Sequence, residues 1–256
     1  MIELPLMRVI TSLLTIGVRL SGLMLFAPFF GSVVIPARIK AILVFAMTLL
    51  LYPTVSQLIS TGAGTNWPLM VITEFLVGVG MGIATNVVFE AIQLSGQVLG
   101  VKMGYSLVNI LDPLTQVDTT VMATFYQSIV MLLFLQMDVH FWLLRAVGNS
   151  YRYVPPGTAH LGDLFTMSVL KIVGEAFGLG VQIAAPVLAA TLAADVVLGL
   201  LGKASPQMPL MLLGPAVKSL LGITVLIATL KYWPDLFRRL FTDAVANGER
   251  LFHLAG

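Results

Sequence analysis

The sequence predicts an all-α integral membrane protein, built as hairpins of six or seven apolar helices. The first observation is compositional: of 256 residues, 58% are hydrophobic and only 10% are charged, against roughly 25% charged in a soluble domain. Mean hydropathy is +0.97. The second is the grouping of those apolar residues into six regions, 6–30, 41–59, 68–89, 121–147, 164–200 and 209–233. Each is long enough for a membrane span, which needs about 20 mostly apolar residues.

In the first region Arg8 precedes the apolar run and Arg19 lies inside it, with no small-x-small cleavage site after it, so it reads as a retained helix. The second follows G-S-V-V-I-P-A-R-I-K, where Pro36 suits a helix start and Arg38 and Lys40 mark a membrane boundary. The loop before Trp67 has no Lys or Arg. The fifth region is too long for one simple span, and Gly174, Gly178, Gly180 and Pro186 inside it leave a kink or a tight hairpin open. The sixth has a start of its own at Pro215-Ala216-Val217-Lys218. The positive-inside rule puts the Arg38/Lys40 loop and the tail bearing Arg238, Arg239 and Arg250 on the cytoplasmic side, which demands an odd number of crossings. Six spans contradict it, unless the fifth region crosses twice or the rule fails. In the tail, Trp233, Phe237, Leu240, Phe241 and Ala244 recur at helical spacing, an amphipathic helix expected on the bilayer surface or on a partner.

The chain divides accordingly into N-terminal helices (1–95), a distinct stretch (96–118), C-terminal helices (119–233) and the tail (234–256). The stretch G-Q-V-L-G-V-K-M-G-Y-S-L-V-N-I-L-D-P-L-T-Q-V-D mixes three glycines with single polar residues and large apolar ones. That pattern is too broken for a lipid-facing helix and too apolar for a solvated loop. Non-helical backbone at membrane depth survives only where protein buries it or a water-filled cavity borders it. The stretch therefore reads as lining or plugging a path, with a plain connecting loop as the alternative.

Ionisable groups inside the apolar regions are costly and should avoid lipid: Arg19, Glu74, Glu90, Asp138, His140, Glu175, Asp195 and Lys218. Pairing with one another or with partner helices is the expectation, and an ion or proton relay is the alternative. Asp138 and His140, two apart, do not share a helix face, which argues against a shared metal site. Gly78 with Gly82, Gly96 with Gly100 and Gly104, and Gly174 with Gly178 stand at helix-packing intervals. G-V-G-M-G lies inside an apolar run rather than at a strand-to-helix turn, so it is no dinucleotide loop. The chain has no cysteine, no H-E-x-x-H, no G-x-S-x-G and no P-loop lysine, and its net charge of +2 carries no basic run for nucleic acid. Thiol chemistry is excluded, and a non-enzymatic protein without a cofactor is expected; an intramembrane hydrolase using Asp112 and Asp195 is a minor alternative.

Three stretches resemble the FliR family of flagellar biosynthesis proteins and, more distantly, its counterparts in virulence type III secretion. They are G-V-K-M-G-Y-S-L-V-N-I-L-D-P from Gly100, D-V-H-F-W-L-L-R-A-V-G-N-S-Y-R-Y-V-P-P from Asp138, and D-V-V-L-G-L-L-G-K-A-S-P-Q-M-P-L-M-L-L-G-P-A-V-K from Asp195. With Pro36-x-Arg38-x-Lys40 the likeness covers nearly the whole chain. Met208-Pro209 departs from the family's usual asparagine and aromatic, and an aromatic common after Gly214 is missing.

The resemblance implies a subunit of the flagellar export gate in the bacterial inner membrane, at the centre of the basal body. It implies FliP-like and FliQ-like partners with an FlhB-like subunit beside them, helical hairpins packed in a hetero-oligomer, and unfolded flagellar proteins as substrates. It implies a plug around residues 103–116, carried by Met103, Gly104, Tyr105, Leu107, Val108, Asn109, Ile110, Leu111, Asp112 and Pro113. Arg38, Lys40, Glu74, Glu90, Asp138, His140, Asp195 and Lys218 are the expected buried polar or assembly residues. The equivalent subunit of an injectisome and, in a different class, an ion-coupled small-molecule transporter are the rival readings.

Overall fold

A computed structural model describes residues 5–32, 35–59, 67–105, 119–159, 162–205, 207 and 210–255. Among them the chain forms eight helices and no strand: α1 (Pro5–Phe26), α2 (Ala37–Val55), α3 (Trp67–Lys102), α4 (Val121–Gln136), α5 (Val139–Tyr153), α6 (Asp163–Ala204), α7 (Leu210–Leu230) and α8 (Trp233–Ala255). The all-α membrane architecture expected from composition is therefore present. Five of these helices are long and apolar enough to cross a membrane, or six if the bent pair α4 and α5 is taken as one span. Five crossings would satisfy the odd number that the charge distribution demands, and six would not.

Two sequence expectations about helix continuity are corrected. The long fifth region is no hairpin, because α6 runs unbroken for 42 residues through Pro186. In an apolar setting the backbone groups freed by a proline have no water to turn to, so neighbouring helical bonds hold. The fourth region, in contrast, is broken between α4 and α5 at Met137 and Asp138, where Asp138 takes a left-handed backbone with φ +56. A third difference concerns residues 96–102, which are not loop but the last two turns of the 36-residue α3.

The helices build two compact units. The first comprises α1, α2, α3 up to Val88, α5, the start of α6 and the end of α8. Its core holds Ile16, Leu20, Leu23, Val77, Met81, Leu143, Val147 and Phe252, all essentially inaccessible. Helices α1 and α3 approach so closely that a Cβ at Gly78 would collide with the Arg19 carbonyl oxygen, and one at Gly22 with that of Phe75. Small residues permit this backbone contact. The second unit comprises the end of α3, α4, α6 from Ala176, α7 and the start of α8. There Gly96 lies against the Ala123 backbone, and the Thr120 hydroxyl donates to the Gly96 carbonyl at 3.1 Å while accepting the Ala123 N–H at 3.2 Å. Thr120 thus caps α4 at its third amide and ties that helix to α3.

The tail helix also departs from expectation. Its apolar face is neither on a bilayer nor on a partner but in the chain's own core: Phe237, Phe241 and Phe252 are fully buried, and Trp233 meets the Tyr126 ring edge to face at 4.9 Å. A docked amphipathic helix of this kind gains burial without any second molecule.

Other helices are left bare. Two-thirds of the α3 span is buried, against 11% for α2 and 17% for α7. Exposed large apolar residues such as Ile42, Phe45 and Leu50 on α2 and Leu220 and Ile227 on α7 need lipid or a neighbouring subunit against them.

Candidate functional site

The stretch read from the sequence as a path-lining element begins on a built support. Helix α3 ends at Lys102 in a Schellman motif: the Tyr105 N–H donates to the Gly100 carbonyl at 2.9 Å and the Gly104 N–H to that of Val101 at 3.2 Å. Such a stop requires a left-handed residue, and Gly104 supplies it with φ +88. Helix α7 is the other half of the support. Met103 is buried against Gly222, Gly104 lies where a Cβ would meet Pro215, and the Tyr105 hydroxyl pairs with that of Ser219 at 2.6 Å. Pro215, Ser219 and Gly222 are spaced by four and three on α7, a single helix face. Three consecutive residues are thus seated on three successive positions of one ridge. Leu107, Val108, Asn109, Ile110, Leu111, Asp112 and Pro113 lie outside the described residues.

Beside that face, on the same helix, Lys218 Nζ stands 2.9 Å from Asp195 Oδ1 of α6, with side-chain exposures of 21% and 38%. Sequence spacing brought neither residue to the other, since 22 positions of chain and a helix turn-around intervene. Residues of opposite sign on facing helices were the only signal.

A second charged centre lies in the first unit. Arg19 of α1 and Glu74 of α3 are both fully buried. The guanidinium donates from Nε to Oε2 at 2.8 Å and from Nη2 to Oε1 at 3.0 Å, a fork matched to a carboxylate. It also donates to the Ser150 hydroxyl at 2.7 Å and the Val154 carbonyl at 3.1 Å, and lies 3.9 Å from the Tyr151 ring centroid. Ser150 in turn donates to the Val147 carbonyl at 2.6 Å. Arg19, Glu74 and the start of the S-Y-R-Y-V segment thereby join α1, α3 and the end of α5. The pairing of buried charges with one another was expected; Ser150 and Tyr151 as partners were not, though both belong to a stretch that carries the family likeness.

The other expected polar residues are placed less deeply. Lys40 is half-buried and donates to the Gly31 carbonyl at 3.1 Å. His140 is half-buried and stacks on Phe141 at 4.2 Å. Arg38, Glu90 and Asp138 are exposed on this chain, so burial within the chain, as expected for them, is not what they have. The span-embedded Glu175 is exposed as well. What the arrangement offers is structural pairing and a firmly anchored segment start.

Residues 10–244 match the family described as bacterial export proteins, family 1. Similar proteins include the flagellar biosynthetic protein FliR of Bacillus subtilis, 24% identical over 95% of each chain. That of Pectobacterium carotovorum is 28% identical over 88% of this chain and 87% of its own. The Caulobacter vibrioides protein of the same name is 27% identical over 87% of this chain and 91% of its own.

Proposed function

The chain belongs to the bacterial export proteins, family 1, and from that premise we propose that it is a multi-pass inner-membrane subunit of the flagellar protein-export gate. The observation that carries this reading is the match across almost the whole chain, joined by relatives whose names are flagellar throughout. Those names favour the flagellar system over an injectisome. In this reading the chain closes a pore with FliP-like and FliQ-like subunits, beside an FlhB-like subunit, and unfolded flagellar proteins leave the cytoplasm through it. It holds no cofactor and catalyses no bond cleavage.

Two features of the fold support an assembly rather than a solitary protein in a bilayer. At 1.5 Å per residue, α3 and α6 are about 54 and 63 Å long, well beyond a hydrocarbon core of about 30 Å. The flanks of α2 and α7 are apolar and bare in the single chain. Neighbouring subunits covering both would remove the mismatch and the exposure together. Residues 103–116 act as the plug: the Gly104 stop at the end of α3 and the Tyr105–Ser219 hydrogen bond to α7 fix its start, and its apolar residues exclude water and ions. Opening is then displacement of a segment held at a defined root, a two-state change biased by substrate and partners.

A tagged chain purified in mild detergent from its own membrane should bring FliP-like and FliQ-like subunits with it. Recovery of the chain alone, still binding a small solute, would favour a transporter. In the same cells, deletion of residues 103–116 should leave the complex assembled but its membrane leaky to small ions; conductance equal to that of the intact gate would remove the plug assignment.

A further inference from the structure

Helix α7 grips the end of α3 at two points of unequal strength, both inside the second unit. At the first, Met103 is buried, and its Cγ, Sδ and Cε lie 3.1, 2.8 and 2.6 Å from where a Cβ on residue 222 would stand. The missing side chain of Gly222 is the slot that the thioether fills. Drawing Met103 out would empty a packed site and expose an apolar side chain, a large loss in a close-packed interior. At the second, the Tyr105 and Ser219 hydroxyls meet at 2.6 Å, and both residues are half-buried. A bond between neutral groups that water can replace contributes little net.

Between the two points stands Gly104, left-handed at φ +88. Glycine passes between left- and right-handed backbone without a Cβ penalty, so the chain can turn there while Met103 keeps its place. Such a turn gives up only the two capping bonds, from the Gly104 N–H to the Val101 carbonyl and from the Tyr105 N–H to the Gly100 carbonyl, together with the hydroxyl pair. The Met103 N–H bond to the Leu99 carbonyl at 2.8 Å lies on the helix side of the turn and is kept.

We propose that Tyr105 and Ser219 are positioning residues that form a releasable latch, that Met103 in the Gly222 slot is a permanent root, and that Gly104 is the hinge between them. The inference rests on the reading of residues 103–116 as a plug and names how that plug is held. In the closed state the hydroxyl pair keeps Tyr105 on α7. In the open state the pair is broken and Gly104 has turned, while Met103 has not moved. The plug is thereby tethered, and it returns to the same place once the passage is empty. A latch of small net strength over a root of large strength makes opening a local step, which leaves the packing of α3 on α7 intact.

The test uses the full chain in its native complex and membrane, with resting ion conductance and secretion of flagellar proteins read in the same cells. Y105F and S219A should each raise resting conductance about two- to tenfold, and the double variant no further than either alone, with complex yield and thermal unfolding midpoint unchanged. S219T, which keeps the hydroxyl, should restore the native conductance. The chain has no cysteine, and because Met103 Cγ lies 3.1 Å from the Cβ position of residue 222, cysteines at 103 and 222 stand within disulfide reach. Oxidised M103C/G222C should therefore be cross-linked and still secrete as well as the same variant kept reduced. Native conductance in Y105F and S219A, with the 103–116 deletion leaky, overturns the latch and leaves the plug standing; a deletion that does not leak removes both. A leak that appears only with lost complex or a lowered midpoint makes the pair structural and overturns the proposal. Failure of M103C/G222C to cross-link, or secretion abolished once it has, overturns the fixed root.

Discussion

Arg19 with Glu74 and Lys218 with Asp195 are pairs of the same chemistry in very different settings. The first is closed on all sides, with a forked carboxylate, a hydroxyl, a carbonyl and an aromatic ring around one guanidinium. The second is a single contact of 2.9 Å between half-exposed groups. Removing a partner from a buried pair strands an uncompensated charge, which costs far more than the pair itself contributes. Around the open pair, solvent, lipid headgroups or a neighbouring subunit can take over. The lesson is that the closed pair fixes how α1, α3 and α5 pack, whereas the open pair is available to respond to what surrounds the chain.

Breaking the closed pair should have the largest effect. Glu74→Ala is expected to destabilise the detergent-solubilised chain by about 3–5 kcal/mol, seen as a collapse of the thermal unfolding midpoint and of yield. R19M/E74M, which removes both charges at similar volume, should recover most of that loss; a double variant as damaged as E74A would show that the pair's geometry, not charge balance, matters. Next comes the backbone contact behind Arg19. Gly78→Ala must push α1 from α3 and should cost about 1–3 kcal/mol, while Gly174→Ala, where a Cβ meets nothing within 4 Å, should be neutral or stabilising by up to about 1 kcal/mol. Equal effects at the two glycines would refute the close crossing. Smallest for the chain itself are Asp195→Ala and Lys218→Ala, each below about 1 kcal/mol in the purified chain. If the open pair serves assembly, their loss should appear instead as reduced yield of the intact complex; a drop in chain stability rivaling E74A would abolish the distinction drawn here.

Much of this was legible beforehand because apolar periodicity and length alone dictate which segments leave water. The helix ends were harder. Gly96, Gly100 and Gly104 all stood at helix-packing intervals, yet only the first two are places in α3 where the start of α4 comes close, and Gly104 instead stops the helix. A glycine that permits approach and a glycine that permits a left-handed turn are indistinguishable without the neighbour. The break at Met137 and Asp138 carries no proline or glycine, so no local signal marks it. The partners of Arg19 could be sorted from other embedded charges only by fold, because Glu74 and Ser150 are 55 and 131 positions away. The tail's apolar face was plain in its spacing, but whether lipid, partner or self would cover it depended on Tyr126, Met81 and Ala84 lying ready to receive it.

Those long separations bear on biogenesis. Arg19 leaves the ribosome on the first helix, 55 residues ahead of its carboxylate and 131 ahead of the serine. At translation rates of about 5–20 residues per second, the guanidinium waits on the order of several seconds before its counterion exists. During that interval the nascent helix carries a lone cation that lipid tolerates poorly, so its entry into the bilayer must be delayed or chaperoned by the insertion machinery until the later helices arrive.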